Sequence, residues 1–197
     1  MTGQSSPRLK RIDPEHLSPA QQDVFDRIAG TRGRVAGPFT VLLHVPELAD
    51  RVQHLGAYLR YEAGIDRDFA ETAVLVTAKA WACPFEWEAH EPLARLAGVP
   101  DVVIEGVRAG SDAGLMPERY RAVCEYTREL AQSGRVSDEL HRAALMLLGV
   151  PGTVELTVLV GYYTLLAMTL NAHRAEESGT ANQGLEATGQ TRNCADA

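Results

Sequence analysis

The chain has 197 residues, 45% of them hydrophobic, enough for one domain with a sizeable core. Its 19 basic and 26 acidic residues leave a net charge of −7, which favours solubility and argues against a nucleic-acid or anionic-membrane partner. Three cysteines, Cys83, Cys124 and Cys194, fit no disulfide framework, and Met1 to Pro7 lacks the apolar stretch of a secretory signal, so a cytoplasmic protein with reduced thiols is expected.

Residues 1–15 read as a flexible arm broken by Pro7 and Pro14. Ser18 is placed as an N-cap with Pro19 at the first helical position; Val24, Phe25 and Ile28 follow at helical spacing, and Gly30 is expected to end the helix. A turn-rich stretch, 33–37, leads into Pro38-Phe39-Thr40-Val41-Leu42-Leu43-His44. Pro46-Glu47 opens the next helix, in which Leu48, Val52, Leu55 and Leu59 form an amphipathic stripe, and Gly64 closes it. Asp66 or Asp68 starts a third helix that runs through Phe69, Ala73, Val74, Val76 and Ala80 to Trp81. With almost no surface-type residue after Glu71, that helix is expected to be central. Pro84 takes the first turn of a fourth helix, continuing through His90 and Leu93 to Ala97, before the Gly98-Val99-Pro100 turn.

Shorter helices are expected over 101–109, 117–132 and 137–149, punctuated by Gly110, Gly114, Gly134 and Gly149, and a last long one over 153–174. The apolar run Leu156 to Leu170 has 15 residues, short of the roughly 17–25 that cross a bilayer. It reads as a buried helix, packed partly against another subunit. Residues 176–197 have few apolar side chains and no period, and read as a disordered tail. No convincing strand pattern is present. The expected fold is all-α, a single helical domain over residues 16–175.

The residues that carry chemistry gather between positions 71 and 90. Glu71 is a carboxylate on an otherwise apolar helix, twelve residues before Cys83. That is roughly 18 Å along a straight helix, so Glu71 reaches a site near Cys83 only by a chain reversal or from a neighbouring subunit. Glu86 and His90, four apart, share one helix face, and a carboxylate beside an imidazole suits proton transfer near neutral pH. Cys83 lies at the N-terminus of the same helix, where unpaired N–H groups and the dipole favour a thiolate. Plainer readings stand beside these. A Glu–His pair at this spacing is common on solvated faces, a cysteine between Ala82 and Pro84 packs well as a small core residue, and Phe85 and Trp87 can simply pack. No further His or Asp falls at helical spacing to complete a metal shell around Glu86 and His90. Among His16, His44, His54, His141 and His173, only His44 is kept as a pocket residue. Cys124, beside Val123 and Tyr126, is expected in the core.

In combination, Glu71, Cys83, Glu86 and His90 resemble the core of the carboxymuconolactone decarboxylase and alkylhydroperoxidase D-like family. There a Glu is followed twelve residues on by Cys-x-x-Cys and, four residues after that, a His. Gly37-Pro38-Phe39, Pro46-Glu47-Leu48-Ala49, Tyr58-Leu59-Arg60, Glu86-Trp87, Val154-Glu155-Leu156 and Gly161-Tyr162-Tyr163 are similar to one branch of it, over roughly residues 20–173. Glu86 stands where the peroxidase pattern has its second cysteine, so the dithiol cycle, in which one cysteine attacks and the other resolves, cannot run locally.

The resemblance implies an all-helical bundle of the alkylhydroperoxidase D-like type. It implies a homo-oligomer, trimer or hexamer, whose subunit contacts help to form the pocket, with no organic cofactor and no metal. Glu71 and His90 would be proton-relay members and Cys83 the reactive or vestigial thiol. Three functions are expected from this reading. One is cofactor-free acid–base chemistry on a small carboxylated or lactone-type substrate, through Glu86 and His90 with Glu71 in support. The second is a peroxidase-like activity through Cys83 and an outside thiol. The third is a non-catalytic helical oligomer that binds a small ligand. A closed pocket lined by Trp81, Phe85 and Trp87 would separate the enzymes from the last.

Overall fold

The computed structural model describes residues 6–110 and 116–175, and all regular structure among them is helical. The first element, α1 (Pro19–Arg32), starts in a capping box: the Gln21 N–H donates to Ser18 Oγ, and the Ser18 N–H donates to Gln21 Oε1. It passes through Gly30 and ends at Gly33, which takes the left-handed conformation that closes the last turn. A short α2 (Pro38–Leu42) leads to α3 (Pro46–Tyr61). The stripe expected on α3 splits. Ala49, Val52, Gln53, Gly56 and Leu59 are buried, whereas Leu48 and Leu55 are exposed with Tyr58. On the inward face Gly56 lets the Tyr162 hydroxyl and Arg32 approach the helix closely. The helix stops before Gly64, whose N–H, like that of Ile65, donates to the Glu155 carboxylate.

Next come α4 (Arg67–Ala80), α5 (Pro84–Leu96), α6 (Asp101–Ala109), α7 (Glu118–Ser133) and α8 (Asp138–His173). Every residue of α4 from Phe69 to Ala78 is buried, because α5, α6, α7 and α8 all pack against it. This is the central helix that its composition foretold. The two helices expected over 137–149 and 153–174 are both present within α8, divided by a kink at Gly149. Gly149 breaks the regularity with φ +67° and ψ −178°, a conformation open essentially to glycine alone.

The apolar run Leu156 to Leu170 lies in the helical segment after that kink. The most apolar 18-residue window of α8 has a mean hydropathy of 1.9 and is 33% buried, so by length and composition alone this helix could cross a membrane. Leu156, Leu159, Tyr163, Leu166 and Leu170 face the core, while Val154, Val158, Leu165 and Met168 lie exposed. At the end of α8, the carbonyls of Ala172 and His173 accept bonds from Arg8, and Ile12 is buried, so the described part of the N-terminal arm is tied to this helix. Cys124 is buried on α7. The expected tail 176–197, with Cys194, and Gly114 lie outside the described residues.

Candidate functional site

A tight reversal after α4 brings Glu71 to His90. The Ala82 N–H donates to the Lys79 carbonyl (3.2 Å) and the Cys83 N–H to the Ala78 carbonyl (2.9 Å), with Ala82 left-handed at φ +46°. This paired bonding closes the helix and turns the chain sharply. α5 therefore runs back along α4, and the condition under which Glu71 can join the site is met within one chain.

His90 Nδ1 lies 2.7 Å from Glu71 Oε2, and its Nε2 lies 3.6 Å from Glu86 Oε2. The second oxygen of Glu71 takes the Arg67 guanidinium at 2.6 Å. Glu71, Glu86 and His90 are only 2%, 4% and 5% exposed. The line Arg67–Glu71–His90–Glu86 thus ties the surface to a buried carboxylate. A carboxylate at Nδ1 fixes the ring's orientation and, when Nδ1 donates to it, leaves Nε2 facing Glu86 as the working nitrogen. The 3.6 Å gap is longer than a hydrogen bond, and such gaps often tighten only when a substrate is bound.

α8 closes the site from another side. The Tyr163 ring stands edge-on to the imidazole (centroids 4.9 Å apart, planes at 86°), and Tyr162 packs edge-on to Tyr163 at 5.4 Å. Burial, and next the Glu86 carboxylate, push the Tyr163 phenol well above its ordinary range, so it keeps its proton. Tyr162 is also pushed up by burial, opposed by Arg32, which donates to its hydroxyl at 3.4 Å.

The remaining expected site residues are placed differently. Cys83, 1% exposed, packs with Ala167 and Leu170 and is flanked by Trp81 and Phe85. Those α8 residues lie one and two turns beyond Tyr163, so this apolar cluster adjoins the imidazole at a displacement of roughly 6–10 Å along the helix. Phe85 also packs over the Gly37 backbone, where any β-carbon would overlap its ring. Trp87 turns towards α6: its Nε1 donates to Glu91 at 2.8 Å, and the Arg108 guanidinium lies 4.7 Å above its ring. His44 is exposed between α2 and α3. The structure therefore brings together Glu71, Glu86 and His90, sets Trp81, Cys83 and Phe85 beside them, and takes Trp87 and His44 elsewhere.

Sequence reasoning assigned no role to Arg67, Tyr162, Tyr163, Arg32 and Arg60. Arg67 was legible as the cation four residues before Glu71, and two phenols in an otherwise aliphatic helix are also a signal. The two ring nitrogens of His90 face separate carboxylates, so these donors do not converge on one point. No group of three or more His, Cys, Asp or Glu among the described residues is arranged to hold a metal ion. No protein-family profile matches the chain, and no curated protein is significantly similar to it.

Proposed function

We propose that this protein is a cofactor-free acid–base enzyme of the carboxymuconolactone decarboxylase-like kind, acting on a small carboxylated or lactone-type substrate. The observation that carries the reading is the buried Glu71–His90–Glu86 line, with each ring nitrogen opposite its own carboxylate. Loss of CO2 from such a substrate leaves the bonding electron pair on the conjugated remainder, which then takes up one proton; nothing is oxidised or reduced. Glu86 or His90 Nε2 delivers that proton. Glu71, braced by Arg67, holds the ring and offsets its positive charge. The proton is restored from solvent after product leaves.

The same reading makes the protein a cytoplasmic homo-oligomer, trimer or hexamer, in an alkylhydroperoxidase D-like fold. The net charge of −7 and the exposed apolar side of α8 support it. The test is steady-state turnover of a panel of unsaturated lactone carboxylates by His90→Ala and Glu86→Gln. Each should fall by about 10²-fold or more with the helical circular dichroism unchanged. Undiminished turnover in both variants rejects the reading.

One observation favours a second reading. Cys83 is the N-cap of α5, where the helix end favours a thiolate. A peroxide would then oxidise Cys83 to the sulfenic acid and leave as an alcohol or water. Two molecules of an outside thiol would return it to the thiol, giving their disulfide and water. Alkylation of Cys83 with a pH midpoint near the ordinary thiol value of about 8.5 argues against this.

A further inference from the structure

Two arginines beside the site are not used by the Glu71–His90–Glu86 line. Arg67 is taken up by Glu71, but neither Arg32 nor Arg60 is within ion-pair distance of a carboxylate among the described residues. Arg32 meets the Tyr162 hydroxyl, and Arg60 acts on the same phenol electrostatically. At Gly56 the α3 helix has no side chain, and the Tyr162 hydroxyl and Arg32 Nη2 occupy the space a β-carbon would fill. Arg60 follows Gly56 by one turn and so springs from the same face of α3. Its carbonyl accepts a 2.7 Å bond from Arg67, which ties this turn to the partner of Glu71. Arg32, Glu86 and Arg60 all act electrostatically on the Tyr162 phenol, and Glu86 and Arg60 on that of Tyr163. Tyr163 stands against His90 and Tyr162 against Tyr163, so the Arg32–Tyr162 pair lies one ring behind the imidazole's own neighbour.

The donors of the two arginines are also poised. Arg60 Nε is buried and has no hydrogen-bond partner. Arg32 lies over the Phe39 ring at 4.6 Å and Arg60 over the Tyr61 ring at 5.4 Å. Stacking fixes each guanidinium plane and leaves its in-plane N–H groups to point at an acceptor. Tyr162 accepts from Arg32, so its own proton remains to be donated. Planar forks of donors beside a phenol match a planar acceptor with two oxygens.

We propose that Arg32, Arg60 and the Tyr162 hydroxyl form a binding subsite for the carboxylate of the substrate, orienting its remainder towards Glu86 and His90. The direction of the substrate rests on the acid–base reading above; the binding of a carboxylate does not.

Sodium acetate and sodium maleate, exchanged for sodium chloride at constant ionic strength, serve as probes of the melting temperature. The wild type is expected to show a saturable rise. Arg60→Met and Arg32→Met should weaken the apparent affinity at least tenfold. Arg60→Lys, which keeps the charge and loses the fork, should weaken it severalfold and covers the case in which a methionine variant does not fold. His90→Asn is expected to bind the probes as the wild type does, even with turnover abolished. A wild type without a saturable response, or arginine variants that respond as it does, overturns the subsite. The acid–base reading stands or falls separately, on turnover by the His90 and Glu86 variants.

Discussion

His90 and Glu91 are consecutive on α5 yet belong to different parts of the molecule. His90 turns inward to Glu71, whereas Glu91 turns to the α6 side. There it accepts bonds from Arg108 (2.6 Å), Arg95 (3.0 Å) and Trp87 Nε1. The Arg108 guanidinium foremost, with Arg95 and Trp87, holds the Glu91 carboxyl down to about 2. A depressed carboxyl stabilises the fold above its unfolded value and loses that contribution as pH falls through the folded one. Glu91→Gln should therefore be less stable than the wild type by about 1 kcal/mol at pH 7. That difference should shrink between about pH 4.5 and 2, and thermal melts across the range check it; a constant difference rejects the assignment. At this scale the sequence was informative about the Glu86–His90 pair, because four-residue spacing within a helix fixes a shared face. It was silent about which face Trp87 takes, since one helical step decides between the imidazole and Arg108.

Helix by helix, the site depends on where chains reverse and where they come close. The α4–α5 turn carries an alanine, not a glycine, in the left-handed position, so no punctuation residue announced how sharply Glu71 would be folded back. On α3, Gly56 lies within a regular helix, where alanine is ordinarily better by about 1 kcal/mol. Here the methyl would overlap the Tyr162 hydroxyl and Arg32. Gly56→Ala is accordingly expected to destabilise the protein by about 1–3 kcal/mol, the opposite sign to the intrinsic preference. Urea unfolding decides it, and a stabilised variant means that Tyr162 and Arg32 do not approach α3 as described.

For the molecule as a whole, one side of α8 is an apolar strip that the described residues leave exposed. Val154, Val158, Gly161, Leu165 and Met168 recur at steps of four and three, the spacing of a helix seam. The proposed homo-oligomer predicts that Val158→Glu with Leu165→Glu sediments as a monomer and keeps its helical circular dichroism, while the wild type sediments as a larger species. A monomeric wild type removes the oligomer from the proposal.

By itself the sequence determined the all-α class, the central place of α4 and the pairing of Glu86 with His90, because each follows from periodicity along a single helix. Only the tertiary structure decided that Glu71 reaches the imidazole, that Tyr163 stands against it, and that Tyr162 meets Arg32 over Gly56. Those neighbours come from α1, α3, α4 and α8, and no spacing along a chain records which helix faces will meet once the core has packed.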